Sequence, residues 1–193
     1  MDLVFPGTLN QVVRRPDTAM RPFVSAEGES PVSPRLIVEI EIGNKSILQA
    51  QQYCREYFDL IPLLRAALLI KFFPARNGVF ACVAILYRRS GDDDDEVVVA
   101  DVVNFGSASI PDYAERDLEQ EPRILPLAPP YNPNEASVSS WRAHHHPFVE
   151  IPAEDVFYRI LERYSGRRVN PRALPALRID LWEIYQLVEG ILF

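Results

Sequence analysis

Residues 35–42 read Arg-Leu-Ile-Val-Glu-Ile-Glu-Ile, and this stretch decides the fold. It is rich in β-branched residues and alternates, the pattern of a strand. Leu36, Val38, Ile40 and Ile42 share one face, and Ile37, Glu39 and Glu41 share the other. Gly43-Asn44 ends the strand. Ser46 then opens a helix, with Gln49 three residues on as its capping-box partner. Ile47, Ala50, Tyr53, Cys54, Tyr57, Phe58 and Ile61 recur at helical spacing, opposite a stripe of Lys45, Gln49, Gln52 and Glu56. Pro62 stops the helix. The Leu36, Val38, Ile40 and Ile42 face is expected to lie under this helix, with the strand central in its sheet.

Working outward, residues 65–73 form an apolar run of strand length, so the helix predicts a parallel crossover. Residues 79–89 and 96–104 read as a hairpin around Gly91 and Asp92–Asp95. An amphipathic helix is expected over 153–164, with Val156, Phe157, Ile160, Leu161 and Tyr164 inward. A final helix from about Asp180 should bury Leu181, Ile184, Tyr185, Val188 and Ile191. The coarse order is strand, strand, helix, three strands, loop and two helices, an α/β or α+β sheet with helices packed on it.

The chain has 193 residues, 48% hydrophobic and 24% charged, which excludes wholesale disorder and suits a single domain over 1–193. Of 17 prolines, five fall in 1–34 and seven in 105–150. They bracket a proline-poor core, make 105–150 read as a long proline-rich excursion, and leave 151–193 for the C-terminal helices. No apolar run reaches the roughly 18–20 residues that span a bilayer, so no membrane partner is expected. The N-terminus lacks signal-peptide order and the two cysteines, Cys54 and Cys82, sit in apolar stretches. An intracellular setting, cytoplasmic or nuclear, is expected.

Net charge is −7, which argues against a general nucleic-acid binder. The cations are 18 Arg and only two Lys, Lys45 and Lys71, so chemistry that needs a lysine has two candidates. Glu39 and Glu41 point to one face among apolar neighbours. Either that face is solvated, or the carboxylates converge on a cation, because burying them unpaired costs several kcal/mol. Three other clusters read as bland. His144, His145 and His146 are adjacent and point to alternating sides, a poor geometry for one shared ion. Asp92–Asp95 with Glu96 lacks calcium-loop spacing and suits a charged hairpin tip. Arg159, Arg163, Arg167, Arg168, Arg172 and Arg178 form a basic zone that fits phosphate contacts or pairing with the acidic hairpin equally well. There is no glycine-rich phosphate loop and no Gly-X-Ser-X-Gly.

Upstream of the strand lies Pro16-Asp17, and the loop to Glu39 contains Pro22, Pro31 and Pro34. The order Pro-Asp, proline-containing loop, apolar strand with Glu-X-acid resembles the PD-(D/E)XK nuclease superfamily, of restriction-endonuclease-like fold. Gln49-Ala50-Gln51-Gln52-Tyr53 has the Gln-X3-Tyr spacing of some exonuclease branches, and ALLIKFF resembles the strand that follows in the common core. The resemblance covers about residues 10–104. It implies a restriction-endonuclease-like mixed sheet flanked by helices and a metal-dependent DNA endonuclease. It implies Mg²⁺, or Mn²⁺ in its place, held by Asp17, Glu39 and the Ile40 carbonyl. Catalytic roles then fall on Asp17, Glu39, Glu41, Lys45 and Gln49. Glu41 stands where the family has lysine, which leaves Lys45 or Lys71 as a migrated lysine. Only fifteen residues precede Pro16, where the family places a helix, which points to a fragment or a degenerate descendant. The rival reading is an inactive nuclease-like domain that serves as a protein-interaction module or homodimer.

Overall fold

The computed structural model describes residues 16–21, 33–43, 45–73, 80–90, 96–119, 147–158 and 173–192. Its elements run β1 (Thr18–Met20), β2 (Leu36–Glu41), α1 (Ile47–Leu60), β3 (Ala66–Phe72), β4 (Cys82–Arg89), β5 (Val97–Asn104), α2 (Asp112–Glu119), β6 (Phe148–Ile151), α3 (Ala153–Val156), β7 (Leu177–Asp180) and α4 (Leu181–Leu192). The architecture is α/β. A five-stranded mixed sheet of order β1-β2-β3-β4-β5 is flanked by helices, and β6 and β7 pair as a separate two-stranded sheet. β2 and β3 are parallel and joined by α1, as the helical crossover predicts; the other pairs are antiparallel. The hairpin of β4 and β5 forms as expected. No helix among the described residues is long and apolar enough to cross a membrane.

α1 begins where its capping box places it. The Ser46 hydroxyl accepts from the Gln49 N–H, and the Gln49 side chain accepts from the Ser46 N–H. Helical bonding ends at Leu60, with Pro62 two residues beyond. At that end the Arg89 guanidinium donates to the carbonyl of Phe58 (2.7 Å), an acceptor the helix leaves open, and to that of Leu64 (3.0 Å) beyond the helix.

Two expectations about β2 are corrected. β3 takes the centre of the sheet, buried at each of its seven residues, and β2 lies second from the edge. The covered face is also the opposite one. α1 packs its Ile47, Ala50, Cys54, Tyr57 and Phe58 against Ile37, Ala67 and Leu69, on the Glu39 and Glu41 side. Leu36 and its face instead meet β6 and α4 through Val149, Ile151, Leu181, Trp182 and Tyr185. Ile40 and Ile42 stay exposed. The reason is that both faces are apolar at the start of the strand, so alternation alone does not rank them. The carboxylates on the helix side are partnered, which removes the cost that would have kept them in water.

The C-terminal part departs from the reading more. The helix expected over 153–164 closes after one turn at Val156, and Phe157, expected inward, is 38% exposed. Ile160, Leu161 and Tyr164 lie outside the described residues. Asp155 docks this turn onto the sheet: it is buried, bonded to Arg88 and 3.6 Å from Arg65. The expected excursion 105–150 contains α2 and β6, and 120–146, with the three histidines, lies outside the described residues. α4 starts at Leu181, where the Asp180 carboxylate accepts the Trp182 N–H at 2.9 Å. Leu181 and Tyr185 are buried as expected, Ile184 and Val188 are partly buried, and Trp182 joins them. The side chain of Ile191 lies outside the description.

Candidate functional site

The β1–β2 pair brings Asp17 to Glu39 and Ile40. Thr18 pairs with Val38, so continuing the register outward sets Asp17 opposite Glu39 and Pro16 opposite Ile40. The Asp17 Oδ2 accepts the backbone N–H of Ile40 at 2.7 Å. Pro16 has no N–H to offer the Ile40 carbonyl, which leaves that oxygen without the ladder donor a different residue would supply. Two carboxylates and one carbonyl thus meet at the open end of β1. Asp17 is exposed and Glu39 half-buried, so the site is reached from solvent.

Glu39 shows the strain of this company. Burial pushes its carboxyl above the ordinary value, and the Asp17 charge pushes it further. The Lys45 ammonium, the Asp17 backbone N–H and the Tyr57 hydroxyl act in the opposite sense. The Tyr57 hydroxyl donates to Glu39 Oε2 at 3.4 Å, from a ring that α1 buries completely. Tyr57 was legible only as part of the apolar stripe. Its polar end found a use because α1 covers the carboxylate face and not the Leu36 face.

Glu41 is a node of a different kind. Its Oε1 accepts the Gly43 N–H at 2.8 Å, its Oε2 is 2.9 Å from Lys45 Nζ, and Lys71 Nζ lies 4.0 Å from Oε1. Both lysines of the chain therefore meet at Glu41. Lys71 is opposite Glu41 in the parallel register and also donates to the Gly43 carbonyl at 2.9 Å. Burial pushes the Glu41 carboxyl up, but its bonds to Lys45 and Gly43 and the two ammonium charges outweigh this and hold it below the usual value. The Glu41 bond in turn lifts Lys45 above its ordinary value, while burial lowers Lys71. Lys45 also stands over the Tyr53 ring, 4.4 Å from its centroid.

Gln49 is not brought into this group: its side-chain oxygen is spent on the Ser46 N–H, and the residue is exposed. Cys54 lies near Glu39, and burial pushes its thiol far up, which disfavours the thiolate. Among the described residues no three side chains of His, Cys, Asp and Glu form a ready metal cage. The donors present fit a hard cation that keeps several waters, since Mg²⁺ is commonly held by one or two carboxylates. Arg178 of the basic zone stacks on Phe148, 3.6 Å from the ring centroid, and the other five arginines lie outside the described residues.

No protein-family model matches the chain, and neither the curated proteins nor the solved structures include a significant match to it.

Proposed function

We propose that this chain is a metal-dependent, restriction-endonuclease-like domain that hydrolyses phosphodiester bonds in DNA within the cell. The observation that carries the reading is the bond from the Ile40 N–H to Asp17, which joins the Pro-Asp element to the Glu39-Ile40 strand across 23 positions. The order of β1 directly after Asp17, antiparallel Glu-bearing strand, crossover helix and parallel strand supports it as well. Asp17, Glu39 and the Ile40 carbonyl would hold the ion. Mg²⁺, or Mn²⁺ in its place, would supply an activated water and offset charge that builds on the phosphate. Tyr57 and the Asp17 backbone N–H orient the Glu39 carboxylate. Lys45, 39% exposed in its side chain, offers a positive charge to an entering phosphate from the mouth of the site.

The test is cleavage of linear and circular DNA with Mg²⁺ or Mn²⁺, run beside Glu39→Ala and Asp17→Asn. Metal-dependent cutting that both substitutions remove supports the reading, and absence of cutting with either ion overturns it. A second reading, an inactive nuclease-like module for a protein partner or a second copy, is favoured by the commitment of both lysines to Glu41 and by the net charge of −7. It takes over if the wild type binds Mn²⁺ but cuts nothing.

A further inference from the structure

Two lysines share one carboxylate, and they share it unequally. Glu41 Oε2 takes the Lys45 ammonium at 2.9 Å, while Oε1 accepts the Gly43 N–H at 2.8 Å and faces the Lys71 ammonium at 4.0 Å. Two positive charges thus stand against one negative charge, an excess of one cation. Among the described residues no other carboxylate acts on Lys71. A buried ammonium needs a counter-ion, and the parallel register supplies one by setting Glu41 opposite Lys71. The Lys71 side chain is 4% exposed and donates to the Gly43 carbonyl at 2.9 Å, so its charge is sealed from any solute. The Lys45 side chain is 39% exposed and stands over the Tyr53 ring. The excess charge of the three is therefore presented to the outside at Lys45 alone.

We infer that Lys71 is a positioning residue that acts through Lys45: by offsetting Glu41 from inside the sheet, it leaves Lys45 an uncancelled cation for an anionic group at the mouth of the site. Without Lys71, Glu41 and Lys45 would form a neutral pair, and an approaching anion would meet the carboxylate as much as the ammonium. Lys71 does not itself reach the substrate. That the anion is a phosphate of DNA rests on the function proposed above, whereas the charge arrangement stands apart from it.

The test is the rate at which Lys45 of the full chain is acetylated by an anionic ester, N-hydroxysulfosuccinimidyl acetate, relative to its neutral counterpart, N-hydroxysuccinimidyl acetate. It is read by mass spectrometry at low salt, where charges are least screened. Both esters need the same free amine, so their ratio reads the local potential and not the ease with which Lys45 loses its proton. Lys71→Met removes the charge at similar volume and is expected to lower the ratio about threefold. Adding Glu41→Gln removes the opposing charge and is expected to restore it. That rescue separates charge from scaffolding, because a second substitution does not repair a lost turn contact. If Lys71→Met fails to fold, Lys71→Gln, which can still donate to the Gly43 carbonyl, takes its place. An unchanged ratio, or a lowered ratio that Glu41→Gln does not restore, overturns the inference. A Mn²⁺ titration and DNA cleavage by the same variants test the link to function. Lys71→Met is expected to bind Mn²⁺ at least as tightly as wild type and to cleave with KM raised about threefold, which Glu41→Gln reverses. Weaker Mn²⁺ binding overturns the assignment by making Lys71 a support of the metal site. A lowered ratio with unchanged cleavage keeps the charge arrangement and overturns its use toward DNA. If the wild type neither binds Mn²⁺ nor cuts, the proposed function falls and the ester ratio alone decides the role of Lys71.

Discussion

Lys45 Nζ lies 2.9 Å from Glu41 Oε2, and the two partners of this pair are unequally exposed, 39% for the lysine side chain and 11% for the glutamate. Removing one or the other should therefore have unequal effects. Glu41→Gln takes the negative charge from Lys71, whose side chain is 4% exposed, and leaves a buried ammonium without its counter-ion. A loss of about 2–3 kcal/mol is expected. Lys45→Ala breaks a pair that solvent screens and should cost about 0.5 kcal/mol. Urea denaturation of the two variants checks the asymmetry; equal losses would show that Lys71 does not depend on Glu41.

The strand, its helix and the parallel strand that follows were legible in the sequence because each carries its own local signal. Alternation marks β2, Ser46 and Gln49 mark the start of α1, and unbroken apolarity marks β3. The choice of face was not legible. Leu36 and Ile37 are equally apolar and equally buried, and only the tertiary partners of Glu39 and Glu41 show which side α1 covers. Of the proposed site, Asp17, Glu39 and Ile40 do meet, since a register of three pairs carries Asp17 to the strand. The short pairing of β6 with β7 was missed because four-residue strands carry little periodic signal. The turn at 153–156 owes its place to Asp155 and its arginines, contacts from distant parts of the chain that a helical pattern does not encode.

Gln51 is 3% exposed, and among the described residues neither its amide nitrogen nor its amide oxygen has a hydrogen-bond partner. An unpaired buried amide costs about 1–3 kcal/mol. Gln51→Met keeps nearly the same volume on the buried side of α1 and removes both polar atoms. We expect a stabilisation of about 1 kcal/mol, seen as a higher urea midpoint with an unchanged slope. A lower midpoint would mean that the amide is satisfied in solution.

Asp101 sits half-buried on β5, and burial pushes its carboxyl above the ordinary value, against a smaller opposite effect of the Val102 backbone. A raised value means that the folded chain holds the proton more tightly than the unfolded one. Its contribution is favourable below about pH 3.9, the ordinary aspartate value, and is lost as pH rises through the raised folded value. Asp101→Asn should thus be more stable than wild type near pH 7, by about 0.5 kcal/mol after allowance for screening. The gain should shrink to nothing on acidification. Melting curves from pH 3 to pH 8 check the sign, and a gain that grows toward acid would contradict it.

Gln49 separates a structural role from a catalytic one. The Gln-X3-Tyr resemblance places it in the site, yet its side chain accepts the Ser46 N–H at 3.0 Å while Ser46 Oγ accepts the Gln49 N–H at 3.2 Å. A reciprocal cap of this type satisfies two donors that the first turn of α1 leaves open. Ser46→Ala should therefore cost about 1 kcal/mol. Gln49→Ala should cost roughly half as much, because the Ser46 half of the box survives. The more telling measurement is the Mn²⁺ titration. Since Gln49 touches neither Asp17 nor Glu39, Gln49→Ala should bind the ion within about twofold of wild type, whereas Asp17→Asn should lose it. A Gln49→Ala variant that keeps its stability but loses the ion would return Gln49 to the site and assign the cap to the ligand-free state alone.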